Sequence, residues 1–290
     1  MARPTNRLLA VGFALALSGC AGSTAYTIGA DRMAQRAGMG MLEVATERFT
    51  LLTYARLHAP GKPVTIYIED EGRVWFNQRR TTLSVNPTPD DPVALRLAVR
   101  DPSRNVAYVG RPCQYVELAY EPNCGDEYWL GRRYSPEVVA AMSQAVDRLK
   151  ARAGAPAVHL VGFGGGAAIA MLVAVGRSDV ASLRSVAGIL DHRAVPKDAR
   201  LPPLDGSLNP IDVAGQLARV PQILYSGGDD REVPPAIAEA YAEAAGPRSC
   251  IRLVTVSGLA ESRIWPERWA YDLLTDSLPT CGQGRDSSQP

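Results

Sequence analysis

Gly162-Phe163-Gly164-Gly165-Gly166 has the form of a turn that presents a catalytic nucleophile, but it carries no nucleophile. The run follows an apolar, strand-like stretch, Val158-His159-Leu160-Val161, and precedes a small-residue stretch of helical character, Ala167 to Val175. Strand, glycine-rich turn and helix are the context that gives a G-x-S-x-G motif its meaning. The serine position is Gly164. Nucleophilic catalysis needs a hydroxyl or thiol activated by a base that a third group orients, and glycine offers neither. Such an elbow holds its central residue in a sparsely allowed backbone region, at a cost of order 1–3 kcal/mol for a residue with a side chain, and glycine relieves that strain. The run lacks the Lys-Ser/Thr of a phosphate-binding loop and the spacing of a dinucleotide fold.

The chain has three histidines that could act as a base. His159 opens the strand before the elbow, roughly 16 Å from Gly164 at ~3.3 Å per residue, which is the wrong end of the sheet. His58 precedes Pro60-Gly61 in a connection and reads as a surface residue. His192 follows a strand end, so it falls on the ligand-facing side. Asp229-Asp230, taken alone, reads as a turn pair.

The elements that must position these residues alternate. Strands are predicted over Phe49–Leu57, Val64–Glu69, Val106–Val109, Val158–Val161, Leu183–Leu190, Gln222–Ser226 and Cys250–Val256. Ser135-Pro136-Glu137 opens a helix in which Val138, Met142, Val146 and Leu149 recur at helical spacing. Further helices are predicted after Asn209-Pro210, over Pro234–Ala245 and over Pro266–Leu274. The alternation implies an α/β fold, a mostly parallel central sheet flanked by helices, with ligand chemistry at the carboxyl ends of its strands.

The N-terminus carries an address. Arg3 and Arg7 precede an apolar run, Leu8 to Ala16, too short to span a bilayer, and Leu17-Ser18-Gly19-Cys20 closes it. That ending resembles a bacterial lipobox, which implies cleavage before Cys20 and lipid on Cys20. Ala21 in place of an aspartate resembles the pattern of outer-membrane lipoproteins. Setting Cys20 aside leaves four of the five cysteines, an even number suited to an oxidising compartment. Three pairings are possible. Cys113 with Cys124 brackets a short loop, and Cys250 with Cys281 would then pin the C-terminal tail to the last strand. No CxxC metal site is present, and no metal or cofactor is expected. Removing Arg3 and Arg7 from the 31 Lys and Arg leaves 29 against 30 Asp and Glu, a balance that argues against a nucleic-acid partner. A hydrophobic content of 46% over 290 residues suits one globular domain.

Several segments, in order, resemble proteobacterial alpha/beta-hydrolase-like proteins, many of them secreted or lipid-anchored. They are Tyr67-Ile68-Glu69, Pro87-Thr88-Pro89, Arg111-Pro112-Cys113-Gln114-Tyr115, Ser178 to Arg184, Leu190-Asp191-His192 and Gly206-Ser207-Leu208-Asn209-Pro210. The resemblance runs from about Phe49 to Trp269 and implies the alpha/beta-hydrolase fold with a degenerate catalytic triad. The nucleophile would sit at Gly164, the acid at Asp230, and the histidine at Glu261, four residues before Trp265. Only the acid is retained. Relatives carry Gly-Asp-Gly after the Tyr-Ile-Glu strand, whereas this chain reads Asp70-Glu71-Gly72, and the extra carboxylate would oppose an oxyanion.

These readings divide the chain into a lipoprotein signal peptide (1–19), a lipid-anchored tether and lead-in (20–46), an alpha/beta-hydrolase-like domain (47–280) and a disordered tail (281–290). A cleft lined by Asp70, Glu71, Phe163, Gly165 and His192 is expected above Gly164. The function expected is that of a lipid-anchored pseudohydrolase on the periplasmic face of the outer membrane, binding a small molecule or an envelope protein. The alternative is a hydrolase of esters or related acyl substrates in which His192, with Asp230 or Glu261, activates water.

Overall fold

A computed structural model describes residues 27–77, 79–195, 203–260, 264–269 and 274–281. Cys20 and the tail beyond Cys281 lie outside the described residues. The apolar and β-branched runs form eight strands: β1 (Gly40–Ala45), β2 (Thr50–Leu57), β3 (Val64–Ile68), β4 (Asn105–Val109), β5 (Val158–Phe163), β6 (Val180–Val186), β7 (Gln222–Gly227) and β8 (Ile251–Val256). They make one sheet in the order β1-β2-β4-β3-β5-β6-β7-β8. β1 and β2 run antiparallel to their neighbours and the other six are mutually parallel. Every residue of β4 and of β7 is buried, as in a sheet covered on both faces.

One face carries α3 (Pro136–Ala153), α4 (Gly165–Ala174), α5 (Pro235–Ala245) and a 3-10 segment, Pro210–Leu217. The helical spacing of Val138, Met142, Val146 and Leu149 is the buried stripe of α3, which ends where Gly154 turns left-handed at φ 56°. α4 is buried on all sides, which its run of glycines and alanines permits. The opposite face carries α1 (Ile28–Arg36), α2 (Val93–Ala98) and the short α6 (Trp265–Arg268), packed against Tyr54, Tyr67 and Tyr108. The residue after α6 is tied to the sheet: Trp269 Nε1 donates to the Tyr67 hydroxyl at 3.2 Å, and that hydroxyl donates to Asp101 Oδ2 at 2.9 Å.

The expected disulfides, Cys113–Cys124 and Cys250–Cys281, are both present. Among the described residues no helix is long and apolar enough to cross a membrane. Several elements differ from the sequence reading. Part of the stretch read as a lead-in belongs to the sheet, because β1 pairs along its whole length with β2. The strand expected over Leu183–Leu190 runs instead over Val180–Val186: Ala187 takes a φ of 46° and turns the chain away, and Leu190 is buried as a loop residue. α2 was not anticipated, since six residues are too few for helical periodicity to stand out. The last helix begins at Trp265 and covers four described residues, with 270–273 outside the description.

Candidate functional site

The turns that leave β3, β5, β6, β7 and β8 at their carboxyl ends border one open cleft of about 2230 Å3. At its floor the elbow keeps its backbone. Gly164 has φ 54° and ψ −122°, a combination that strains any side chain-bearing residue. Its N–H donates to Val186 O at 3.0 Å, and its carbonyl accepts from Ala167 and Ile189, both at 3.1 Å. The flanking glycines are packing requirements. A Cβ on Gly162 would strike the Ala167 backbone, and one on Gly166 would strike the carbonyls of Ile68 and Glu69. Because those obstacles are backbone atoms, Gly166→Ala is expected to destabilise the protein by about 1–3 kcal/mol or more, read from denaturant unfolding. An unchanged midpoint would mean that the elbow is looser than this.

Above Gly164 stands the Asp70 carboxyl. A Cβ on residue 164 would lie 2.5 Å from Asp70 Oδ1, so a nucleophile's side chain there would have to push the Asp70 carboxyl aside. The same oxygen accepts the Gly165 N–H at 2.8 Å, and Glu71 Oε2 accepts it at 3.2 Å. This N–H belongs to the first residue of α4, and in an active elbow it would face developing negative charge. Glu71 Oε1 accepts from the Tyr134 hydroxyl and from Arg133 Nη1, the latter at 3.5 Å. Burial, and then the charge of Glu71, push Asp70 well above the ordinary carboxylate range. Burial would raise Glu71 too, but a hydrogen bond from Asp70 and the charges of Arg133 and Arg111 bring it down to about 2. Asp70 is therefore the acid of the pair and Glu71 the anion.

Asp70, Glu71, Phe163, Gly164, His192 and Asp230 all border the cleft. Gly165 does not: it is buried, with its N–H covered by the two carboxyls. Asp230 holds its own turn, its Oδ1 accepting the N–H groups of Glu232 and Val233 at 2.9 Å each, and burial raises its pKa. The segment after β8 runs beside it, since Asp229 N–H donates to Leu259 O at 3.2 Å. Glu261 lies outside the described residues. The His192 ring stacks on Tyr134 with centroids 6.3 Å apart, and its Nε2 is buried without a partner. Burial, then Arg193, lower its pKa, so the ring is neutral. His159 Nδ1 meets Ser182 Oγ at 2.7 Å inside the sheet, and His58 is exposed. Among the described residues no three His, Cys, Asp or Glu side chains converge to hold a metal.

Arg111, Arg133 and Tyr134 were assigned no role from sequence. Arg111 lies in one of the resembling segments, but nothing in the sequence singles out Arg133 or Tyr134, which reach Glu71 from the connection between β4 and α3.

Glu69, 1% exposed, accepts the N–H groups of Asp70 and Ala94 on Oε1. Burial pushes its pKa from 4.5 up to about 7. A carboxyl with a raised folded-state pKa contributes stability that is complete below about pH 4.5 and lost as the pH rises through about 7. Glu69→Gln keeps an acceptor and removes the charge. It is therefore expected to gain up to about 3 kcal/mol over the parent at pH 8 and to match it near pH 4. A stability difference that does not change with pH would refute this assignment.

No protein-family model matches the chain, and no curated protein sequence does. Solved structures do. Est1E from Butyrivibrio proteoclasticus superposes with a TM-score of 0.54 at 13% identity, over 81% of this chain and 98% of that one. An alpha-beta serine hydrolase homologue from Coxiella burnetii gives 0.53 at 17%, over 81% and 97%. The Pyrococcus furiosus esterase Pf2001 gives 0.55 at 14%, over 81% and 91%. At such identities the likeness speaks for architecture alone, and together with the strand order and the elbow it establishes that this chain has the alpha/beta-hydrolase fold.

Proposed function

We propose that the chain is a lipid-anchored cell-envelope protein in which the alpha/beta-hydrolase scaffold binds rather than hydrolyses. One observation carries the reading: the Asp70 and Glu71 carboxyls stand over Gly164 and on the Gly165 N–H, where a hydrolase would need an empty space and a free donor. Nucleophile and oxyanion site are thus compromised together. A glycine at 164 alone could reflect a substituted nucleophile elsewhere in the cleft. Carboxylates packed on the donor leave no room for one to work there. The retained cleft would take a small molecule or a segment of an envelope protein, with Cys20 holding the domain at the periplasmic face of the outer membrane.

The test is hydrolysis of activated esters and labelling by a serine-reactive phosphonate, using purified residues 21–290. Neither is expected above the heat-denatured control. Turnover that disappears in His192→Ala or Asp230→Asn would instead establish the water-activating hydrolase.

A further inference from the structure

Glu71 sits in a pocket built for an anion. Its two oxygens are held from opposite sides, Oε2 by the Gly165 N–H at the start of the ten-residue α4, a donor it shares with Asp70 Oδ1, and Oε1 by the Tyr134 hydroxyl and Arg133. A helix start of this length favours negative charge, and the arginine and tyrosine add charge-assisted donors. A second cation stands behind them. Arg111 is 3% exposed, its guanidinium lies 5.6 Å from the Tyr134 ring centroid, and its Nη2 donates to Arg133 O. Its Nε and Nη1 are buried with no partner. Two arginines around one carboxylate supply more positive charge and more donors than that carboxylate uses.

We propose that Gly165, Tyr134, Arg133 and Arg111 form a carboxylate-binding site whose occupant in the free protein is Glu71, and that a ligand bearing a carboxylate enters the cleft floor by taking its place. The shape of the occupant sets the class. The carboxylate already there bridges donors on its two edges. The exchange needs only a side-chain movement, because Glu71 borders the cleft while the turn beneath it is fixed: Gly72 has φ 74°, and a Cβ there would strike Pro87 O. The inference rests on reading the cleft as a binding site, and its test measures occupancy rather than turnover. Hydrolysis by the parent would defeat that reading without touching this result.

Glu71→Gly empties the pocket, and Glu71→Gln fills it with a neutral group. Thermal unfolding of both and of the parent is followed in sodium formate and in sodium chloride at equal ionic strength. In chloride both variants should melt about 5–10 °C below the parent, as buried cations lose their partner. Formate should restore more than half of the loss in Glu71→Gly, saturably, and should leave Glu71→Gln and the parent nearly unmoved. Adding Tyr134→Phe to Glu71→Gly should weaken the formate response. Equal responses to formate and chloride would overturn the proposal. So would a Glu71→Gln variant as stable as the parent, and if Glu71→Gly folds in neither salt, that comparison alone decides.

Discussion

Serine introduced at position 164 of the otherwise unchanged protein is expected to produce no esterase, and a protein less stable than its parent by about 1–3 kcal/mol. The φ of 54° strains any side chain there, and the new Cβ lies 2.5 Å from Asp70 Oδ1, so the Asp70 carboxyl must leave the Gly165 N–H. Building the triad that the resemblance implies needs three further changes. Glu261→His supplies the base at the position the resemblance assigns, and Asp230 stands at the position it assigns to the acid. Asp70→Gly with Glu71→Asp restores the Gly-Asp-Gly turn and uncovers the Gly165 N–H. One oxyanion donor is worth about 10²–10³ in turnover, so the variant with all four substitutions should exceed Gly164→Ser/Glu261→His by about that factor. Each single variant should stay at background, because nucleophile, base and acid act as a unit. The measurement is initial rates on an activated ester together with phosphonate labelling of residue 164. Equal rates with and without the Asp70 and Glu71 changes would mean that the two carboxyls do not obstruct the oxyanion site.

The elbow is legible in the sequence because its glycines lie in one contiguous strand–turn–helix run: Gly162 is demanded by the Ala167 backbone within that run, and Gly166 by the carbonyls of Ile68 and Glu69 at the end of β3. The parallel core was legible for a similar reason, since fully buried strands read as continuous apolar runs. The plug was not. The bond from Gly165 to Asp70 joins residues 95 positions apart, and Tyr134 meets Glu71 across 63. Asp70-Glu71-Gly72 could be read as hostile to an oxyanion, but only the turn's path places the carboxyls on the donor itself. β1 escaped notice because an edge strand with one covered face carries a weak pattern, and its pairing depends on β2. β6 stops before its expected end, where Ala187 turns left-handed.

Cys20→Ser is expected to abolish stable membrane attachment. Leu8 to Ala16 is too short to span a bilayer, and among the described residues no helix is long and apolar enough to do so. On the lipobox reading, attachment falls to acyl chains on Cys20. Each buried methylene contributes about 0.8 kcal/mol, so one chain binds reversibly and two or more hold the protein firmly. Without the thiol neither cleavage nor acylation can proceed at this site, and the protein should appear as a soluble or uncleaved form. The domain itself should be unaffected, because the disulfides use other cysteines. The check is fractionation of cells expressing the parent, Cys20→Ser and Ala21→Asp, with the unfolding temperature of each purified domain as a control for folding. Ala21→Asp should keep the lipid but move the protein to the inner membrane, which separates loss of the anchor from a change of address. Cys20→Ser protein that stays in the outer-membrane fraction after a high-salt wash would show that something other than lipid on Cys20 holds it there.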